Sequence, residues 1–331
     1  MTISSCPCQA TTPEGTDAFA QNRSLGRGVN VLGYDPIWKS FDQARFKEGY
    51  FKMIRGGGFD TLRVNLYPFR HMEAAPDFAL SNSWWQTTDW IVTNALAANL
   101  NVILDFHEYE ITGKDPKGNK ARFLAFWRQF APRFQNAPSK VMFEILNEPN
   151  GKMTPEIWNQ YLAEALAIIR TSNPTRTVII GPAFYNSVDH LSELKLPARD
   201  TNLIVTVHYY KPMDFTHQGA KWAHKENITG VVWQGTPEER AAIDSDFKNV
   251  QKWAKKYRRP IFLGEFGAYD KGDMASRVRW TEYVAREAEK YGWSWTYWQF
   301  DSDFIVYDIP KAQWVEPIHN ALIPPGALRT P

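Results

Sequence analysis

Two apolar runs in this sequence end in an acid where a strand should stop. Residues 141–151 read VMFEILNEPNG, and residues 260–269 read PIFLGEFGAY. In each, the β-branched and large apolar residues of a buried strand lead to a glutamate: Glu148, flanked by Asn147 and Pro149, and Glu265. A single glutamate at a strand end reads as a surface charge or as half of an ion pair. Two of them, each closing an apolar run, point to chemistry, because a core built for burial has no use for ionised carboxylates. Two carboxyls facing across one cavity suit acetal hydrolysis. One must stay protonated to donate to the leaving oxygen and the other must stay ionised, so their surroundings must push their pKa values apart.

Such a pair needs a frame that brings distant strand ends together. Strand-like runs recur at 28–33 (GVNVLG), 61–67 (TLRVNLY), 101–109 (NVILDFHEY), 140–149, 177–185 (TVIIGPAFY), 203–210 (LIVTVHYY), 260–269 and 293–300 (WSWTYWQF). Several are near-continuous in apolar residues, as strands covered on both faces should be. Between them, Pro155 to Arg170 sets Trp158, Tyr161, Leu162, Ala165, Ile168 and Ile169 on one stripe behind a Thr154 N-cap. Thr236-Pro-Glu-Glu opens a second helix as a capping box, with Ile243, Phe247, Val250 and Trp253 facing inward. Helices near 42–55, 84–98, 121–135, 274–290 and 311–322 fill the other gaps, and only a short one, Val188 to Leu194, fits between the fifth and sixth strands. Strands alternating with helices predict an α/β fold, a (β/α)8 TIM barrel in a single domain over 26–331, with 1–25 as a flexible N-terminal segment. A doubly wound open sheet is the runner-up, but no G-x-G-x-x-G follows the first strand.

A TIM barrel gathers its chemistry at the C-terminal ends of the strands. Read in order, those ends supply Arg63, His107, Asn147 with Glu148, His208 with Tyr210, Glu265 and Trp298. Asp105 and His107, two apart on one strand, share a face and could form part of a 2-His-1-carboxylate metal set. No H-E-x-x-H accompanies them, and Asp105 reads better as a partner that orients a neighbouring side chain. No metal and no other cofactor is expected.

Composition narrows the classes. With 44% hydrophobic and 22% charged residues among 331, a sizeable core is expected. Lysine plus arginine (38) nearly balance aspartate plus glutamate (36), which argues against a nucleic-acid partner. Aromatic residues reach 15%, including 14 tryptophans, most of them expected in the core, with faces that could also stack on bases or sugar rings. Cys6 and Cys8 both precede the first strand, so no disulfide or zinc framework spans the fold. No apolar run reaches about 18 residues, so no membrane span is expected. The first 22 residues lack the basic and then apolar stretch of a secretory signal. A secreted or periplasmic protein whose signal is absent from this chain is expected, a cytoplasmic one being the alternative.

ILNEP at strand four, LGEFGAY at strand seven and LRVNLY at strand two, with LDFHEY, VHYY and YWQF at strands three, six and eight, resemble glycoside hydrolase family 5. These are the cellulase-type retaining enzymes, and the resemblance runs from about Gly26 to the C-terminus. It implies Glu148 as general acid/base and Glu265 as nucleophile, their carboxyls about 5–5.5 Å apart. It further implies Asn147 on the sugar 2-hydroxyl, Arg63 holding Glu265 ionised, and Tyr210 donating to the nucleophile. His107 and His208 would bind sugar hydroxyls or orient the acid, and Trp298 would floor the reacting subsite. In the long loop after strand six, F-T-H-Q-G-A-x-W resembles a loop of members that act on β-1,4-glucan. His217, Trp222 and Trp233 are candidates to line the cleft, with Trp222 the preferred platform. Of Trp84 and Trp85 one belongs to the core, while Tyr34 and Trp38 could reach the non-reducing side of the cleft. The implied activity is an endo-β-1,4-glucanase on soluble cellulose derivatives and mixed-linkage β-glucan, with a β-glucan polysaccharide or cello-oligosaccharide as partner and a monomeric state. A mannanase or xyloglucanase of the same family is the nearest alternative. A non-catalytic sugar-binding barrel would keep the tryptophans but could lose a carboxylate.

Overall fold

The computed structural model describes residues 17–326. Eight strands close into a parallel barrel in chain order: β1 (Arg27–Val31), β2 (Thr61–Leu66), β3 (Asn101–Phe106), β4 (Val141–Glu144), β5 (Val178–Ile180), β6 (Leu203–Tyr209), β7 (Ile261–Phe266) and β8 (Ser294–Tyr297), which pairs with β1. The expected TIM barrel is therefore observed.

The capping chemistry places the helices. Thr154 Oγ1 accepts from the Ile157 amide at the head of Pro155–Ser172. Ahead of Pro237–Tyr257, Thr236 Oγ1 accepts from Glu239 N (3.3 Å) while Glu239 Oε2 accepts from Thr236 N (2.9 Å), the reciprocal pair of a capping box. Asn82–Ala97, Pro116–Arg133 and Met274–Lys290 match the expected helices to within five residues at either end. The helix expected over 42–55 starts later, at Gly49. Asp35 intervenes, accepting from the amides of Ile37, Arg45 and Phe46 and tying the preceding stretch into a loop. The last helix is also shorter, Glu316–Leu322, because Tyr307–Asp308 and Gln313–Trp314 pair as a small antiparallel ribbon.

The expected flexible segment over 1–25 needs correction at its end. Ala18–Leu25 is a helix across the closed base of the barrel. Its Ala18 and Leu25 are buried with Ile103, Met142, Ile179, Ile204 and Phe262, the inward residues of five strands. Asn22 Nδ2 donates to Ile261 O (2.9 Å) and Asn101 Nδ2 to Ser24 O (2.7 Å). Those contacts exclude water from the base, so the domain begins before residue 26. Cys6 and Cys8 lie outside the described residues.

The interior turns polar above that apolar base. On β3, Val102, Leu104 and Phe106 face the outer helix layer, whereas Ile103 sits in the basal cluster and Asp105 and then His107 follow at the strand's two-residue period. On β2 and β4 the same alternation sends Arg63, Asn65 and Glu144 inward. Arg63, expected at the mouth, is thus the third residue of β2, 0% exposed and one layer below the rim.

Candidate active site

Glu148, His208 and Glu265 converge at the open end, their nearest carboxylate and imidazole atoms all within 4.8 Å of one another. Two irregularities produce the convergence. Between β6 and β7 the register slips: Val207 pairs with Leu263, but His208 pairs with Glu265, so Gly264 is passed over. A bulge of this kind re-aims side chains. A Cβ at Gly264 would collide with Thr206 Oγ1, so only glycine permits the slip. Glu148 itself stands at φ +40°, in the left-handed region, four residues beyond the end of β4. Such a backbone costs on the order of 1–3 kcal/mol. Asn147 N, donating to Phe106 O (2.9 Å), and Asn150 Nδ2, donating to Glu148 O (2.8 Å), hold the turn.

Arg63 is the hub beneath. Its Nε and Nη2 grip both oxygens of Glu144 (2.7 and 2.8 Å), Nη1 donates to Glu265 Oε1 (2.7 Å) and Asn30 Oδ1 (2.8 Å), and Nη2 also reaches Asn147 Oδ1 (2.7 Å) and Asp105 Oδ2 (3.1 Å). The guanidinium fork suits such bidentate, charge-assisted contacts. One cation faces three carboxyls, so the cluster cannot hold all of them ionised cheaply. Asp105, beside Arg63 and His107, is held below the ordinary carboxylate range despite its burial. Glu144 is pushed up to about 8 by burial, against the pull of Arg63.

The two mouth carboxyls differ in the same physical way. Burial, then the charge of Glu265, hold Glu148 well above the ordinary range. Burial raises Glu265 as well, but Arg63 pulls it back, and Tyr210 Oη donates to its Oε2 (3.0 Å). Among the described residues no lysine or arginine touches Glu148. Its Oε1 meets His208 Nδ1 (2.7 Å), and burial with nearby Arg63 keeps that imidazole well below its usual pKa, hence neutral. Of the two, Glu148 is the carboxyl whose surroundings favour the proton, and Glu265 the one whose charge has donors in contact.

His107 Nδ1 and Asp105 Oδ2 bond each other (2.5 Å), and the same Oδ2 also meets Arg63 Nη2 (3.1 Å). Among the described residues the donor atoms close enough to hold a cation are those of Glu148, His208 and Glu265. The His107 ring lies parallel to Trp298 (5.6 Å, 5°), and its Nε2 meets Asn147 Nδ2 (3.4 Å).

A cleft of about 1140 Å³ runs over these groups, its walls including Tyr34, Tyr109, Tyr185, His217 and Trp222. Trp222 is 55% exposed and rests edge-on against Tyr269 (4.7 Å). Trp233 is not in the cleft: it is 1% exposed, packs near Tyr283 and pins the long loop through Arg279, which donates to its carbonyl. Trp38 also fails to reach the cleft. Its ring stacks on the buried Trp84 (6.1 Å) and its Nε1 donates to Leu32 O (2.8 Å). Trp85 is half-buried against Phe130. Tyr34 lines the cleft, edge-on to Trp298 (6.2 Å).

Reading the strand ends overlooked Asn30, Asn65, Glu144 and Asn186. The first three carry a legible signal, a lone polar residue inside an apolar strand at the inward period. Asn186 carries none, since its run continues the strand pattern while the chain turns after Ile180.

The sequence pattern of the family described as Cellulase (glycosyl hydrolase family 5) matches residues 24–303. Endoglucanase H of Acetivibrio thermocellus is 30% identical over 96% of this chain, which spans 35% of that protein's length. The chain spans 34% of the length of a second relative from the same organism, Cellulase/esterase CelE, at 24% identity. Among solved structures, the endoglucanase Cel5A of Thermotoga maritima superposes with a TM-score of 0.88 at 40% identity, covering 93% of this chain and 100% of that one. The same Cel5A has been crystallised with mannotriose and with cellobiose.

Proposed function

The chain belongs to the cellulase family, glycosyl hydrolase family 5, and from that footing we propose that it is a retaining endo-β-1,4-glucanase. Its substrates are soluble cellulose derivatives and mixed-linkage β-glucan. One observation carries the reading: two carboxyls meet across the cleft, one gripped by Arg63 and Tyr210, the other against the His208 imidazole.

Glu265 supplies the electron pair that attacks the anomeric carbon, and the bond to the leaving sugar breaks as Glu148 protonates its oxygen. The resulting ester is opened by water, which gives its proton to Glu148 as Glu265 departs as carboxylate. Asn147, oriented by Arg63, faces the 2-hydroxyl, and Trp298 with His107 forms the floor. The polymer is too large to enter a cell, which favours secretion or export. A monomer is the proposed state, and among the described residues no helix is long and apolar enough to cross a membrane.

Initial rates on carboxymethylcellulose, barley β-glucan, xyloglucan and mannan test the substrate. The two β-1,4-glucans are expected to lead, and mannan far ahead would overturn the glucanase reading. The mannotriose complex of the Thermotoga protein favours β-1,4-mannan as a second substrate. Product anomers read by NMR immediately after cleavage should be β; fresh α product would exclude retention.

Trp222→Ala should raise KM for cellohexaose about tenfold with kcat changed little, the loss of one stacking face. Trp233→Ala should instead lower thermal stability, by about 3–5 kcal/mol for a buried tryptophan, with KM near that of wild type. Calorimetry and kinetics on both variants separate platform from pin, and an unchanged KM in Trp222→Ala would remove it from the cleft's binding surface.

A further inference from the structure

The chain after β5 carries an unusual backbone: Phe184, Tyr185 and Asn186 stand in succession at φ +56°, +63° and +53°. This left-handed turn docks on the acid from two sides. The Tyr185 amide donates to Pro149 O (3.2 Å), the carbonyl next to Glu148. The Asn186 side chain is buried against His208, with Nδ2 3.2 Å from Nε2. Ser187 then bridges to His208 through the backbone. Gly181 makes room, since a Cβ there would collide with the Asn186 amide.

Asparagine Nδ2 can only donate, so His208 Nε2 must accept and the ring proton must sit on Nδ1. Nδ1 then donates to Glu148 Oε1 at 2.7 Å. An oxygen accepting that bond cannot also point a proton along it. The proton of the acid is left to Oε2, which makes no hydrogen bond among the described residues on a side chain 14% exposed. We propose that Asn186 is a positioning residue: by fixing the His208 tautomer it places the proton of Glu148 on the oxygen open to the substrate. This inference rests on reading Glu148 as the general acid.

The opposite tautomer would present a bare Nδ1 to Glu148. The acid could then donate its proton to the imidazole instead of to the leaving oxygen. Asn186→Asp tests this with little change of shape, and aspartate tolerates the left-handed backbone. An acceptor facing Nε2 draws the ring proton there.

Imidazole ¹⁵N shifts should report the Nδ1–H form of His208 in the wild-type protein and the Nε2–H or doubly protonated form in Asn186→Asp. Turnover of barley β-glucan should fall on the order of ten- to hundredfold, part of what a general acid contributes. For 2,4-dinitrophenyl β-cellobioside, whose leaving group needs no proton, kcat/KM should stay within about threefold. Equal losses on both substrates, an unchanged rate on glucan, or an Nε2–H wild-type ring would overturn the inference. The wild-type spectrum decides by itself if the variant does not fold. Wild-type protein inactive on both substrates would instead defeat the proposed function, and the tautomer result would stand apart from it.

Discussion

Glu265→Ala is expected to reduce kcat on barley β-glucan on the order of 10⁵-fold, about 7 kcal/mol of lost transition-state stabilisation. Cello-oligosaccharide binding should change only a few-fold, because the cleft walls and the Asn147–Arg63–His107 network remain. The loss has two sources. The attacking oxygen is gone, and so is the charge that is the second-largest cause, after burial, of the raised Glu148 pKa. The remaining acid should therefore titrate at lower pH than in wild type.

Azide distinguishes the two carboxyls chemically. In Glu265→Ala it can enter the vacated space below the ring and give an α-glycosyl azide from an activated donor. In Glu148→Ala it attacks the ester from above and gives the β-azide. The same anomer from both variants would contradict the assigned roles, and more than about 1% residual kcat in Glu265→Ala would remove it as nucleophile.

Arg63→Met should be strongly destabilising. It keeps volume but leaves Asp105, Glu144 and Glu265 buried without their cation. Breaking a buried pair from one side costs on the order of 3–5 kcal/mol, which lowers Tm by roughly 10 °C. The sign of the pH dependence follows from the carboxyls. In the wild-type protein Asp105 is depressed, so its contribution is present above its unfolded pKa and lost as pH falls through the lower folded value. Without Arg63 the buried carboxyls rise above their unfolded values, the native state binds more protons, and stability falls as pH rises. The variant should lie nearest wild type at pH 4–5 and furthest from it at pH 8. The acid limb of kcat/KM should also move to higher pH as Glu265 loses its main downward influence. Thermal melts across that range check this, and a loss that is flat with pH or below about 1 kcal/mol would mean that Arg63 does not hold the cluster.

The barrel was legible because its rules are local. Near-continuous apolar runs separated by helix-period segments admit few topologies, and the Thr154 and Thr236 caps announce themselves in a few residues. Where a local signal competed with a long-range one, the reading slipped. Asp35 recruits three amides from up to eleven residues away and delays a helix. The N-terminal helix owes its order to five strands it cannot reach in sequence. Trp222 and Trp233 share one loop, yet one is exposed at the cleft and the other buried near Tyr283.

The amino-acid order by itself determined that two acids follow apolar strand runs and that those strands must alternate with helices, since burial and periodicity act over a few residues. Only the tertiary structure decided which carboxyl's surroundings favour its proton. That depends on a guanidinium from β2 that touches Glu265 and not Glu148, on a one-residue slip at Gly264, and on an amide from beyond β5 reaching His208. Charge interactions in a desolvated interior are set by distances of a few ångströms between residues far apart in the chain, and no local pattern encodes them.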